Sequence, residues 1–207
     1  MDNGVLYPAN GLVIAAGRGA VLVDPGWEPA QTEAILAWTR EALPPGAVKA
    51  VITHSHADRS AGIAVLRQAK VPVVGLRLTR ERLEQERKPA PGAVDGLEAT
   101  PWKDPLGFEL LYPGPGHAPD NLVVWVPKAR VLFGGCFLKA VTAKDLGNVA
   151  DASIQEWPRS IAKVRAAYPE IAVQVPGHGA ARGDALAHTA ALLAQPQKPA
   201  AATAGRR

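Results

Sequence analysis

Cysteine is nearly absent from this chain of 207 residues: Cys136 stands alone, so no disulfide can close within it and the usual indicator of redox compartment is silent. Long apolar runs are missing too, none approaching the roughly 20 residues that span a bilayer. The start, Met1-Asp2-Asn3-Gly4, has neither the basic nor the apolar part of a signal peptide. These absences predict a soluble chain with no membrane contact and no address. The formal net charge is +4, yet the basic residues are scattered and no basic block is backed by aromatic residues, which argues against nucleic acid as a partner.

What is present is enough apolar material, 47% of residues, to bury the core of a single α/β domain. Two β-type runs, 11–16 and 20–23, flank Gly17-Arg18-Gly19, a hairpin connection. Residues 29–43 carry Ala34, Ile35, Trp38 and Ala42 at helical spacing until Pro44-Pro45-Gly46 stops them. A strand over 48–53, a helix over 62–68, a strand over 71–75 and a charged helix over 79–87 follow. Residues 88–105 read as loop or irregular strand before β-type runs at 108–112, 122–126 and 131–133. A helix over 153–167, with Ser153 as its N-cap and Glu156 three residues on, precedes a strand over 171–175 and a helix over 184–193. Two β-rich blocks with helices outside predict an α/β fold, a four-layer αββα sandwich, spanning residues 1–194. The Pro/Ala-rich tail 195–207 is expected to be disordered.

Four of the β-type runs lead into a potential metal ligand: His54, His117, Cys136 and His178. The first continues as His54-Ser55-His56-Ala57-Asp58-Arg59, and in an extended segment residues 54, 56 and 58 face one side. Six candidate ligands are too many for one tetrahedral zinc and enough for two ions with three protein ligands each. The remaining coordination position is then open to water, whose pKa a catalytic zinc brings to about 7. His188, on the last helix, receives no role.

His54-x-His56-x-Asp58, Gly116-His117 and Pro176-Gly177-His178-Gly179 together resemble the signature of the metallo-β-lactamase superfamily. Ester and phosphodiester hydrolases of that superfamily usually carry a histidine after the aspartate, where this chain has Arg59. With Cys136 in Phe133-Gly134-Gly135-Cys136 as the replacement ligand, the pattern resembles the cysteine-containing dizinc β-lactamases. Tyr7-Pro8-Ala9-Asn10-Gly11, Asp24, Trp27, Asp120-Asn121 and Gly147-Asn148-Val149-Ala150-Asp151 extend the likeness. Relative to that family the chain reads as truncated at its N-terminus, lacking the first strands of the fold and a secretion signal.

The resemblance implies two zinc ions, one held by His54, His56 and His117 and the other by Asp58, Cys136 and His178. It implies hydrolysis of the β-lactam amide bond of penicillins, cephalosporins and carbapenems by a metal-bound hydroxide, conferring antibiotic resistance. Asp58 and Asn148 are the catalytic residues so implied, Lys139 and Asn148 contact the substrate carboxylate and lactam carbonyl, and Trp27 forms an apolar wall. Arg59 and Asp24 orient the ligands and balance their charge. The partner is a small β-lactam, the protein a monomer, and its place the periplasm. A dizinc thioester or lactone hydrolase is the alternative among enzymes, and a non-catalytic zinc-binding remnant the alternative outside them.

Overall fold

The computed structural model describes residues 8–94, 96–97 and 100–196. Tyr7 of the N-terminal motif and residues 197–207 of the tail lie outside the described residues.

Two five-stranded sheets form the centre. The first contains β1 (Leu12–Ala15), β2 (Ala20–Val23), β3 (Ala47–Ile52), β4 (Val73–Leu76) and β5 (Gly92–Val94), in that spatial order. Only the β1–β2 hairpin is antiparallel; β2 through β5 run parallel. The second sheet has the order β10 (Val173–Pro176), β9 (Val131–Gly135), β8 (Val123–Val126), β7 (Phe108–Leu111) and β6 (Trp102–Asp104). Its β9–β10 pair is parallel and the rest antiparallel, so β7, β9 and β10 end at one edge.

The alternation of buried side chains explains the layering. Val21, Val23 and Val51 point between the sheets, where they meet Leu110, Leu122, Val124 and Phe133. Their neighbours Leu22, Ala50 and Ile52 point outward beneath α1 (Pro29–Ala42) and α3 (Ile63–Gln68). A strand buried on both faces therefore reads as a continuous apolar run. On the far side, Val123, Trp125 and Leu132 pack under α5 (Trp157–Ala167) and α6 (Ala185–Leu193). Each such fully buried side chain contributes about 1.5–3 kcal/mol. This is the expected αββα sandwich.

Four local expectations are corrected. The alternation through residues 54–58 ends at His56, which N-caps the short helix α2 (Ala57–Ser60); its carbonyl accepts from the amides of Arg59 and Ser60. Asp58 is thus in a first helical turn and not in an extended segment. Helix α5 begins at Trp157 with Glu156 as N-cap, not at Ser153, because Pro158 lacks an N–H and is accommodated only in the first turn. Residues 88–105 hold two short strands, β5 and β6, one at an edge of each sheet, and α4 (Arg77–Gln85) starts two residues early.

Candidate metal centre

The carboxyl ends of β2, β3, β7, β9 and β10 bring Asp24, His54, His117, Cys136 and His178 to one rim of the sandwich. The amide of Leu122 donates to the Thr53 carbonyl at 2.8 Å, joining the two sheets beside the site. Close approach is required at Gly177: a Cβ there would sit 2.6 Å from the amide nitrogen of Cys136 and 2.8 Å from Arg59 Nη2. Only glycine lets the β10 loop lie against the β9 loop and bring His178 to Cys136.

Asp58 Oδ2, Cys136 Sγ and His178 Nε2 lie 3.1, 3.3 and 3.4 Å from one another. Beside them, His56 Nδ1 is 3.2 Å from His117 Nε2, and the rings of His54, His56 and His117 have centroids 4.7, 5.0 and 5.2 Å apart. The groups His54, His56, Asp58 and His54, His117, Cys136 also bring one donor atom each within 4.8 Å, so all six ligand candidates form one continuous cluster.

The electrostatics of the two trios differ. Burial holds the pKa of His54 and His117 well below the usual histidine value, keeping both rings neutral with lone pairs available. His54 Nε2 and His117 Nδ1 are buried with no hydrogen-bond partner. Asp58 behaves oppositely: burial works to raise its pKa, but the hydrogen bond from His178 and the charge of Arg59 hold it far below the carboxylate range. His178 is pushed up to about 9, chiefly by Asp58 and then by Cys136. A metal taken at that trio must displace the Nε2 proton.

The orphaned His54 nitrogen, the neutral rings of His54 and His117, and the trio of sulfur, carboxylate and imidazole suit a nitrogen- and sulfur-preferring divalent ion such as zinc. The partners of the outward ring nitrogens fix the orientation of two ligands. His56 Nε2 donates to Asp151 Oδ2 at 3.1 Å and presents Nδ1 inward; His178 Nδ1 donates to the Pro8 carbonyl at 2.9 Å and presents Nε2.

Arg59 is fully buried and bridges the ligands to the scaffold. Its guanidinium is 3.0 Å from Asp58, 3.1 Å from Cys136 Sγ and 3.7 Å from Asp24, and donates to the carbonyls of Asn10 and Gly177. Burial opposes its charge, but Cys136, Asp24 and Asp58 together raise its pKa. Asp24 accepts from both the amide and the hydroxyl of Thr53, and burial pushes its pKa up to about 6 despite Arg59. Asn10, from the N-terminal motif, donates through its side chain to the carbonyls of Pro176 and Gly179, stitching the start of the described chain to the His178 loop.

A cavity of about 550 Å³ opens over the cluster, and Trp27, Lys139 and Asn148 all line it. Trp27 sets its ring edge-on to His178, 6.3 Å between centroids. Burial lowers the pKa of Lys139, whose ammonium sits 5.5 Å from the centre of the Trp157 ring. Asn148 Oδ1 accepts from the amide of Ala150, a local turn that leaves the Nδ2 end as its donor.

The geometry matches a named family. A model described as the metallo-beta-lactamase superfamily matches residues 4–178. The chain belongs to the metallo-β-lactamase superfamily. Among its relatives is the metallo-beta-lactamase type 2 of Bacillus cereus, 37% identical over 194 residues that cover 92% of this chain and 75% of that protein. The solved metallo-β-lactamase from Pontibacter korlensis superposes with a TM-score of 0.86 at 36% identity, covering 93% of this chain and 90% of the other. The FIM-1 metallo-β-lactamase from Pseudomonas aeruginosa, solved in a mono-zinc form, gives a TM-score of 0.87 at 31% identity, with 93% and 86% covered.

Several groups around this metallo-β-lactamase centre received no role from the sequence. Arg82, on α4, donates to Asp151 at 2.7 Å and to Ser55 Oγ at 3.1 Å; Asp120 Oδ2 accepts from the Ser55 amide. Trp157 lies 6.2 Å from the His117 ring and donates to the Phe137 carbonyl. Asp151 and Asp120 stood inside quoted motifs, so a signal was present for them; Arg82 and Trp157 belong to helices whose contacts with the rim depend on packing. Among the described residues, no helix is long and apolar enough to cross a membrane.

Proposed function

We propose that this chain hydrolyses the β-lactam amide bond of penicillins, cephalosporins and carbapenems with two zinc ions. His54, His56 and His117 would hold one, and Asp58, Cys136 and His178 the other. The observation that carries this reading is the pair of adjoining donor trios, one of imidazoles alone and one with an ionised carboxylate, beneath a cavity lined by the half-buried Lys139. When bound, zinc supplies an ionised water at neutral pH and withdraws charge from a carbonyl oxygen.

The protein's own groups bind and orient the substrate. Lys139 provides a fixed positive charge for the carboxylate next to the lactam ring. Because that charge interacts equally before and during the reaction, Lys139→Ala raises KM by about ten- to hundredfold with a smaller change in kcat. Asn148 Nδ2 donates toward the lactam carbonyl, where negative charge develops. Trp27, with Leu138 and Ala143, gives the cavity an apolar wall against the rest of the substrate. Asp58 keeps its carboxylate ionised at the reacting centre, and Arg59 and Asp24 hold that carboxylate and the Cys136 sulfur in place. In this role the enzyme acts in the periplasm as a monomer and confers antibiotic resistance.

The test is turnover of a chromogenic cephalosporin by the purified protein, with added zinc and again after chelation. Zinc-dependent hydrolysis supports the reading. Hydrolysis of thioesters or lactones with none of the cephalosporin overturns the substrate, and turnover that survives chelation overturns the metal requirement.

A further inference from the structure

His188 and Thr189, neighbours on α6, reach the cavity through the backbone of its wall. His188 Nε2 donates to the Ala143 carbonyl at 2.8 Å. Thr189 Oγ1 accepts from the Lys139 amide at 2.8 Å while its own hydroxyl proton goes to the Ala185 carbonyl at 2.6 Å. Both ends of residues 139–143 are therefore fastened to one helix. Between those anchors the Ala143 amide donates to the Ala140 carbonyl at 2.8 Å, closing a turn. Two glycines press on the turn from outside: a Cβ on Gly179 would lie 2.9 Å from Ala140 Cβ, and one on Gly183 would lie 2.9 Å from Val141 Cγ1.

The fastened segment begins with Lys139, and Lys139, Ala140, Ala143 and Lys144 all line the cavity. A lysine carries four rotatable side-chain bonds, so its ammonium is useful for recognition only if the backbone beneath it is held. Thr189 holds the amide of Lys139, and the Trp157 ring meets its ammonium. The far end of the turn depends on His188. The imidazole is half-buried and has no place among the metal-ligand candidates.

We propose that His188 is a positioning residue for substrate recognition, clamping the 139–144 wall onto α6 so that Lys139 is preset to receive the carboxylate of an anionic β-lactam. The proposal rests on the β-lactam reading of the site. His188 touches neither the substrate nor the metal ligands; it acts through the Ala143 carbonyl. Loss of the clamp leaves that carbonyl without its donor and lets the wall sample other positions, which weakens ground-state and transition-state binding together.

The experiment compares the full chain with His188→Leu and His188→Gln, each with and without Lys139→Ala. It reads cephalosporin KM and kcat, bound zinc, and amide hydrogen exchange. Expected are a KM raised about three- to tenfold in His188→Leu, the worth of one neutral hydrogen bond, and faster exchange across residues 139–144 with α5 unaffected. Recovery is expected in His188→Gln, whose amide can donate to the same carbonyl. In the Lys139→Ala background the His188→Leu change should add little to KM, since the group it positions is gone. An unchanged KM in a folded His188→Leu protein overturns the proposal, as does the same fold-change in both backgrounds. If His188→Leu is too unstable to assay, His188→Gln decides: an unaltered KM with exchange across residues 139–144 like the parent's supports the clamp, and loss of zinc or a fall in kcat alone in that variant overturns it. Absence of turnover by the unmodified chain instead removes the β-lactam reading, and the proposal with it.

Discussion

The two donor trios are neighbours at one rim, but they are built on opposite principles. The His54, His56 and His117 trio is made of imidazoles alone: burial suppresses protonation of His54 and His117, and His54 Nε2 is buried without a hydrogen-bond partner. The Asp58, Cys136 and His178 trio is dense with charge and hydrogen bonds, and a buried arginine is needed beneath it. An ion held by imidazoles alone would keep its full positive charge for a carbonyl oxygen. One held by a thiolate and a carboxylate would be largely neutralised, with Arg59 in contact with both ligands. The lesson is that one rim can offer two unlike sets of donor atoms, provided the scaffold supplies charge on one side only.

The sharpest way to break this comparison is to delete one ligand from each trio. His54→Ala and Cys136→Ala should each reduce bound zinc from two equivalents to one and lower kcat/KM by at least about a hundredfold, since changes outside the ligand set already cost about ten- to hundredfold. Metal analysis after equilibrium dialysis, with steady-state rates, measures both. Next in size is Arg59→Met, which leaves Asp24 and Asp58 buried without their cation. About 3–5 kcal/mol of stability should be lost in urea denaturation, and the loss should shrink when zinc is present. If Arg59→Met is as stable as the parent without zinc, the charge-dense trio does not depend on its arginine.

A smaller effect is expected on the imidazole side. Asp151→Asn weakens the acceptor that orients His56, and zinc affinity should fall by about tenfold at that trio, with the Asp58 trio unaffected; competition with a chromophoric chelator resolves the two. The smallest belongs to the scaffold. Asp184 caps α6 by accepting from the Ala187 amide and pairs with Arg165, and despite partial burial these contacts hold its pKa below the ordinary carboxylate value. Asp184→Ala should cost about 1 kcal/mol at neutral pH. Because the folded-state pKa is depressed, that contribution is present above the unfolded carboxylate value and fades as the pH falls through the folded one. Thermal melts of the two proteins at pH 7 and in acid would show the gap narrow.

Much of the fold was legible along the chain. The hairpin glycines, the helix ending at Pro44-Pro45 and the apolar runs of β3, β8 and β9 each encode their structure locally, by turn geometry or by periodicity. Local signals failed where the deciding partner was distant. Strands β5 and β6 are three residues each and exist because β4 and β7 offer them an edge. The turn after His56 replaces an extended strand because the carbonyl of His56 finds the amides of Arg59 and Ser60. Likewise His188 looked idle until α6 was set against the cavity wall.

By itself the sequence determined the kinds of chemistry available: four histidines, an aspartate and a cysteine placed just beyond strand ends, and the apolar periods that make those strands. Residue type and short-range spacing are enough for that, because they act within one element. Only the tertiary structure decided which nitrogen of His56 and His178 faces inward, where Arg59 finds its anions, and which helix holds the wall that carries Lys139. These depend on contacts between residues dozens to more than a hundred positions apart, which come together only when both sheets and their covering helices have packed.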